Sequence, residues 1–309
     1  MISASIIPII FSTDHNFVMP TGVALTSLIS TSKDESYEIN ILVADDVNDV
    51  DKHELSSIVE NSRSKIRFIS IGDIFDHAYE VRGISKATYF RLLIPWLFPE
   101  YDKVIYCDGD VIFRGGLKEL YDINLDNCYI GGVKDYFNAK NFKKHLHEIG
   151  LDWEKYINAG VLLINSKKQR ADNLQSKYQS HFNKKYEYQD QDILNIVCKD
   201  KIKYISFIYN FNPDKYKIFA NVKPNLTQRY PDFNSLDDLK RIKIIHYCGN
   251  KPWNCRSGFL AYDWWSYYSR SKWHNPNLEY KFNFNMMYPT LNPRKILSII
   301  VNNILSRGK

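Results

Sequence analysis

Neither of the glycine-rich signatures that cradle a phosphate occurs in this 309-residue sequence: there is no G-x-G-x-x-G and no G-x-x-x-x-G-K-[ST]. Dinucleotide oxidoreductases and P-loop enzymes are thereby set aside. No apolar run approaches the roughly 20 residues that a bilayer-spanning helix needs. The apolar Ile6–Phe11 has no basic residue before it and no small-residue cleavage site, so it does not read as a signal peptide. The five cysteines (Cys107, Cys128, Cys198, Cys248 and Cys255) are odd in number and scattered, without a C-x-x-C pair. They read as reduced, mostly buried thiols of a cytoplasmic protein, and not as a disulfide framework or a zinc site. Repeats and low-complexity tracts are missing too. So is net charge over most of the chain. From Trp264 onward seven Lys or Arg stand against one acid, Glu279, which accounts for the whole +6 of the protein. A neutral body argues against a nucleic-acid groove, and a basic end points to a polyanion such as an anionic membrane surface.

What is present is the composition of an ordinary globular domain, 44% hydrophobic and 25% charged, with an aromatic content of 15%. That many Tyr and Phe suit a protein that handles sugars or meets a membrane interface. Ile6–Ser12, Glu38–Ala44, Lys65–Ser70 and Lys103–Cys107 read as strands. Between them, helical patterns run through Val23, Leu28 and Ile29, over Asp51–Asn61 with Asp51 as N-cap, and over Lys86–Leu97. This alternation predicts an α/β fold with a mostly parallel sheet and helices on both faces. Tyr129–Lys134, Val161–Asn165 and Ile242–Tyr247 are further strands, and Ile193–Val197 is a further helix. Tyr136–Glu148 is polar and lies over the site as loop or helix.

The stretch KVIYCDGDVIF, Lys103–Phe113, is the chemical centre of the sequence. An apolar strand stops abruptly at Asp108-Gly109-Asp110, where two carboxylates two residues apart project to one side of the chain. A hard divalent cation, Mg²⁺ or Mn²⁺, relieves their repulsion, and Gly109 permits close approach of a ligand. On this stretch alone, a solvated Asp-Gly hairpin turn explains the residues equally well. Ligands of parallel α/β sheets bind at the carboxyl ends of strands. Asp14-His15-Asn16 and Asp108-Gly109-Asp110 both fall there, which favours a nucleotide site. Tyr188–Asp192 precedes a helix, where at least one of its polar groups is expected to be no more than a cap. His246 leaves the last strand beside Gly249 and Lys251.

Six blocks, IIFSTDHNF, SKATYFRL, DKVIYCDGDVIF, INAGVLLIN, YQDQDILN and HYCGNKPW, occur in the order found in retaining glycosyltransferases of family 8, which this sequence resembles from Ile9 to about Trp253. The resemblance is greatest to bacterial α-galactosyl- and α-glucosyltransferases that extend lipopolysaccharide or lipo-oligosaccharide. It implies a GT-A fold, a UDP-galactose or UDP-glucose donor and bound Mn²⁺ (or Mg²⁺). It implies Asp108, Asp110 and His246 as metal ligands. Asp14, Asn16 and the backbone near Ile84 fall at the uridine. Arg91, Gly109, Asp135, Asn158, Ala159, Gly160, Asp190 and Gln191 fall around the donor sugar, and Gly249 and Lys251 at the diphosphate. Tyr188, Pro213 and Cys248 fall toward the acceptor. One departure marks this chain: only Asn250 separates Gly249 from Lys251, one residue fewer than the family pattern.

A metal and Lys251 aimed at the departing UDP would supply electrostatic stabilisation. Gln191 is an amide and a poor nucleophile. A front-face attack with its carbonyl steadying positive charge is therefore favoured, and a double displacement through Asp190 stays open. The acceptor is read as lipopolysaccharide core or a related lipid-linked oligosaccharide. A protein-glucosylating or self-glucosylating enzyme and a non-catalytic sugar-nucleotide-binding protein are the alternatives. Residues 1–260 are expected to form the transferase domain and 261–309 an aromatic, basic extension. In that extension Arg294–Lys309 places Leu297, Ile300, Val301 and Ile304 on one helical face. A helix of this kind suits peripheral attachment to the inner face of the cell membrane. Docking of the same helix on the domain is the other reading.

Overall fold

The computed structural model describes residues 6–75, 86–135, 140–214, 229–254 and 260–279. Ile84, Cys255 and the segment Arg294–Lys309 lie outside them. The strands are β1 (Ile7–Thr13), β2 (Tyr37–Val43), β3 (Lys65–Ser70), β4 (Val104–Asp108), β5 (Val111–Phe113), β6 (Ile130–Lys134), β7 (Ile157–Ile164), β8 (Ile202–Tyr204) and β9 (Ile244–His246). The helices are α1 (Val18–Thr31), α2 (Asp49–Ser57), α3 (Ile94–Leu97), α4 (Lys118–Tyr121), α5 (Lys140–Glu148), α6 (Ser166–Ala171), α7 (Leu174–Gln179), α8 (Gln189–Val197) and α9 (Ala261–Tyr268).

Seven strands form one sheet in the order β3-β2-β1-β4-β7-β6-β8, while β5 and β9 pair separately as a short ribbon. Successive side chains of the central strands enter opposite layers, as the period of two requires. Ile9, Phe11, Ile105, Cys107, Val161 and Leu163 face one core with Val23, Leu28 and Trp264. Ile10, Val104, Tyr106, Leu162 and Ile164 face the other with Tyr89, Leu93, Leu174 and Ile193. Both faces are covered, which is why these strands read as continuous apolar runs.

Every pairing in the large sheet is parallel except those made by β7, which runs against both β4 and β6. Cys107 lies opposite Val161, so the start of β7 lies beside the end of β4. That reversal brings Asn158-Ala159-Gly160 beside Asp108-Gly109-Asp110. Those three residues lie within β7, which begins at Ile157, four residues before the expected strand start.

Other boundaries differ from expectation for local reasons. The cap of α2 is Asn48, whose side chain and that of Asp51 bond each other's backbone N–H in a capping box, so Asp51 sits one turn inside. Lys86–Leu93 is a 3₁₀ stretch, and the helix proper is only α3, with Pro95 in its first turn. The expected last strand, around Ile242–Tyr247, forms as β9 and pairs with β5 in the short ribbon. Beyond residue 260, three of the aromatic residues of α9 turn inward, while Tyr262 is exposed. Trp264, Trp265 and Tyr268 are buried in the core that contains α1, and Trp273 covers Gly22 so closely that no Cβ would fit there. These rings are part of the core and are not displayed to a membrane. Among the described residues no helix is long and apolar enough to cross one.

Candidate active site

The end of β4, the start of β7, the end of β9 and the first turn of α8 meet at one point. Asp108 ends β4 with its Oδ1 held by the Tyr106 hydroxyl at 2.7 Å and by Arg91 Nη2 at 2.9 Å. Its Oδ2 faces His246 Nε2 at 3.7 Å, and Asp110 Oδ1 faces the same nitrogen at 3.2 Å. Asp108, Asp110 and His246 each offer an atom within 4.8 Å of the others. Asp110 Oδ1 and His246 Nε2 are both buried without a hydrogen-bond partner. Two orphaned acceptors facing each other are costly unless something positive joins them.

The hydrogen bonds also determine which histidine nitrogen is free. The Gly160 backbone N–H can only donate, and it donates to Asn158 Oδ1 at 2.9 Å. Asn210 therefore offers its Nδ2 to the same oxygen, at 2.8 Å. That leaves Asn210 Oδ1 to accept from His246 Nδ1 at 2.9 Å. The Nδ1 carries the proton, and Nε2 presents a lone pair toward the two aspartates, the tautomer a metal ligand needs. The oxygen, oxygen and imidazole donor set suits Mn²⁺ or Mg²⁺. Gly160 is required by crowding: a Cβ there would stand 2.1 Å from His246 Cε1 and 2.8 Å from Asp108 Oδ2.

The sequence matches the model of glycosyl transferase family 8 over residues 8–256. The chain belongs to glycosyltransferase family 8. A putative glycosyltransferase of Haemophilus influenzae is 32% identical over 259 residues, 82% of this chain and 74% of that protein. The lipopolysaccharide glucosyltransferase WaaO of Escherichia coli is 25% identical over 274 residues, 84% of this chain and 74% of its own. Among solved structures, the galactosyltransferase LgtC in complex with donor and acceptor sugar analogs superposes with a TM-score of 0.73 at 28% identity, covering 89% of this chain and 100% of that one. The fold is GT-A.

Around the Asp-Asp-His cluster, this family 8 glycosyltransferase arranges its remaining polar groups in two layers. Arg91 is buried and bridges Asp108 and Asp190, with its Nε 2.9 Å from Asp190 Oδ2 and its Nη1 donating to the Ala159 carbonyl at 2.6 Å. Its guanidinium lies 4.6 Å from the Tyr106 ring centre. Burial and the neighbouring Asp108 push the Asp190 carboxyl up to about 6, against the pull of Arg91. Gln191 is fixed by four partners. Its Oε1 accepts from Ala159 N at 3.0 Å and Asn158 Nδ2 at 3.1 Å. Its Nε2 donates to Asp135 Oδ2 at 3.1 Å and to Tyr156 Oη at 3.2 Å. The carbonyl expected to steady a sugar cation thus has both lone pairs engaged by protein donors.

On the other side of the cluster, Lys251 Nζ reaches Asp110 Oδ2 and donates to the Tyr247 carbonyl at 2.8 Å. Burial works to raise the Asp110 carboxyl, but the Lys251 ammonium outweighs it and holds it far below the usual carboxylate range. The loop carrying Lys251 is pinned by Asp214, whose Oδ2 accepts from Asn250 N and leaves no room for a Cβ on Gly249. A Cβ on Gly109 would likewise stand 2.3 Å from Thr21 Oγ1. Asp14 caps the turn at Phe17 through Oδ1 at 3.0 Å, and Asn16 is exposed beside it. Toward the expected acceptor side, the Cys248 Sγ accepts from Asn212 Nδ2 at 2.7 Å, one residue before the buried Pro213. Tyr188 packs edge-on against Phe142, 5.1 Å between ring centres.

Four residues of this assembly were not singled out from the sequence. Asn210 joins His246 to Asn158. Tyr156 links Gln191 to Asp192, whose Oδ1 it meets at 2.7 Å. Asn195 holds both backbone groups of Ile157, at 2.9 and 3.0 Å. Arg229, buried, donates to the Asp135 and Tyr156 carbonyls, the former at 2.9 Å through Nε and the latter at 3.1 Å. Asn195 closes the YQDQDILN block without having been singled out in it, and Asn210, Tyr156 and Arg229 lie in none of the six blocks. The expected capping role in the YQDQD block falls to Asp192, whose Oδ2 accepts from Tyr188 N at 2.9 Å.

Proposed function

We propose that this glycosyltransferase is a metal-dependent, retaining hexosyltransferase that moves galactose or glucose from a UDP-sugar to a hydroxyl of lipopolysaccharide core or a related lipid-linked oligosaccharide, forming an α-linkage. One observation carries the reading. An Asp-Asp-His cluster, buried at Asp110 and His246 and with its histidine tautomer fixed for ligation, lies between a lysine on one side and a ring of sugar-type hydrogen-bonding groups on the other. Asp108, Asp110 and His246 would hold Mn²⁺ or Mg²⁺, which supplies a Lewis acid for the departing diphosphate. Lys251 and Gly249 orient the diphosphate, Asp14 and Asn16 the uridine, with Ile84 proposed to join them. Asp135, Asn158, Ala159, Gly160 and Asp190 surround the hexose.

Retention through a front-face attack fits the chain's own groups better than a double displacement. Gln191 is an amide with four partners, and Asp190 has its Oδ2 held by Arg91, so neither is set up as an unencumbered nucleophile. The acceptor's proton then goes to the leaving phosphate oxygen, and Gln191 positions Asp135 and Asn158 against the sugar. Lipopolysaccharide as acceptor is supported by the relatives' stated activities. Residues 1–260 are proposed as the transferase domain, with α9 of the extension completing its core. The basic segment Arg294–Lys309 is proposed to attach the enzyme to the cytoplasmic face of the membrane, where its charge and amphipathic pattern suit anionic lipid.

The test is release of UDP from UDP-glucose and from UDP-galactose, with Mn²⁺, with EDTA, and in Asp110→Asn. Mn²⁺-dependent turnover of one donor, abolished by EDTA and by the substitution, is expected. Failure of both donors to bind or turn over would refute the reading.

A further inference from the structure

Lys251 does more in this structure than wait for a phosphate. Its ammonium is already on a metal-ligand carboxylate, Asp110 Oδ2, and its second bond is to the Tyr247 carbonyl at 2.8 Å. The rings of Phe17 and Trp253 flank it, with centres 5.7 and 5.8 Å from Nζ. Fixed charge at the cluster explains the arrangement. Asp108, Asp110 and Asp190 bring three carboxylates together, and among the described residues Arg91 and Lys251 are the Lys or Arg side chains that pair with them. Arg91 is committed to Asp108 and Asp190, so Asp110 is left to Lys251.

A divalent ion held by Asp110, Asp108 and His246 would share that carboxylate with the ammonium. Like charges on one carboxylate repel, and the lysine is the group that can leave. Its stem is long and rotatable, whereas the backbone at Gly249–Asn250 is pinned by Asp214. The side chain therefore pivots about a fixed base.

We infer that Lys251 is the resident cation of the metal site: its ammonium neutralises Asp110 in the ion's place, and the joint arrival of metal and diphosphate turns it from the carboxylate to the phosphate. This rests on the UDP-sugar reading above. Lys251 opposes metal binding alone and favours binding of metal together with a nucleoside diphosphate. The enzyme thus takes the two as a pair and holds a bare ion weakly.

The experiment is an electron paramagnetic resonance titration of free Mn²⁺ with the full-length chain, without and with saturating UDP. Wild type, Lys251→Met, Lys251→Gln and Lys251→Arg are compared, each shown to be folded by circular dichroism. A neighbouring charge commonly changes a carboxylate's proton affinity by one to three powers of ten, so the effect on Mn²⁺ is expected to be at least about tenfold. Without UDP, Lys251→Met and Lys251→Gln should bind Mn²⁺ about tenfold more tightly than wild type. With UDP the order should reverse by a similar factor, and Lys251→Arg, which keeps the charge, should follow wild type in both. If wild type binds Mn²⁺ with UDP but neither neutral variant binds bare Mn²⁺ more tightly, the inference is overturned and the UDP-sugar reading stands. If wild type binds no Mn²⁺ under either condition, both fail together.

Discussion

Replacing Arg91 by Met tests how the cluster tolerates its own negative charge. Met keeps the length of the side chain and removes the cation. Arg91 is buried, and its loss leaves Asp108 and Asp190 without the group that sits 2.9 Å from each. Breaking a buried ion pair from one side costs about 3–5 kcal/mol. Asp108 retains some exposure and the Tyr106 hydroxyl, so the lower end, about 3 kcal/mol, is expected. At about 2.1 cal/mol/K of unfolding entropy per residue, for a domain of about 260 residues that is a fall of roughly 5–6 °C in Tm. The effect should depend on pH in a definite direction. Asp190 already sits near 6, above the ordinary carboxylate value, because burial and Asp108 outweigh Arg91. The stability contributed by a carboxyl raised in this way is complete below its unfolded pKa of about 4 and is lost as pH rises through the folded one. Without Arg91 the folded value climbs further, and the loss continues above pH 6. Urea unfolding at pH 5 and pH 8 should therefore show the variant nearer to wild type at pH 5 and further from it at pH 8. A deficit below about 1 kcal/mol, or one equal at both pH values, would refute the argument that Arg91 works by neutralising these two carboxylates.

Gly160→Ala should force the His246 ring aside, costing about 1–3 kcal/mol of stability in urea unfolding and lowering Mn²⁺ affinity. Unchanged affinity would show that the crowding is relieved elsewhere. Asn210→Ala removes the partner of His246 Nδ1 and should weaken Mn²⁺ about 10–100-fold. Asn210→Asp, which can still accept that proton, should recover most of the loss in the same titration. Trp264→Ala should cost about 3–5 kcal/mol; a change under about 1 kcal/mol would mean that α9 is not part of the core.

The parallel half of the sheet was readable because its strands are short, β-branched and separated by helical patterns. The six sequence blocks also named the residues that converge on the cluster. The reversal of β7 was not readable, since a strand buried on both faces has the same apolar pattern in either direction. Lys86–Leu93 was misjudged because a 3₁₀ stretch and an α-helix share nearly the same spacing of buried residues over two turns. The short β8, half exposed along its length, has no alternation to detect. Asn210, Tyr156, Asn195 and Arg229 escaped for a different reason. Each acts through a hydrogen bond to a distant segment, such as Arg229 to Asp135 across 94 positions. Nothing local distinguishes them from other polar residues. The inward packing of Trp264, Trp265 and Tyr268 was not readable either. The composition of the segment after residue 260 suits an interface, but α1 offers Trp264 and Tyr268 a dry surface within the fold.

The way β4 and β7 meet head to tail has a thermodynamic consequence. The candidate metal ligands lie at positions 108, 110 and 246, and the groups that orient them at 91, 158, 160 and 210, so no short segment of the unfolded chain contains the site. Ion and nucleotide would then bind the native state almost exclusively, and by mass action a ligand at 100 times its Kd adds about 2.7 kcal/mol to the unfolding free energy. Donor supply would in this way set how long the enzyme survives as well as how fast it works. A cell depleted of manganese or of sugar nucleotide would hold a larger unfolded fraction, open to proteolysis, before any change in its synthesis.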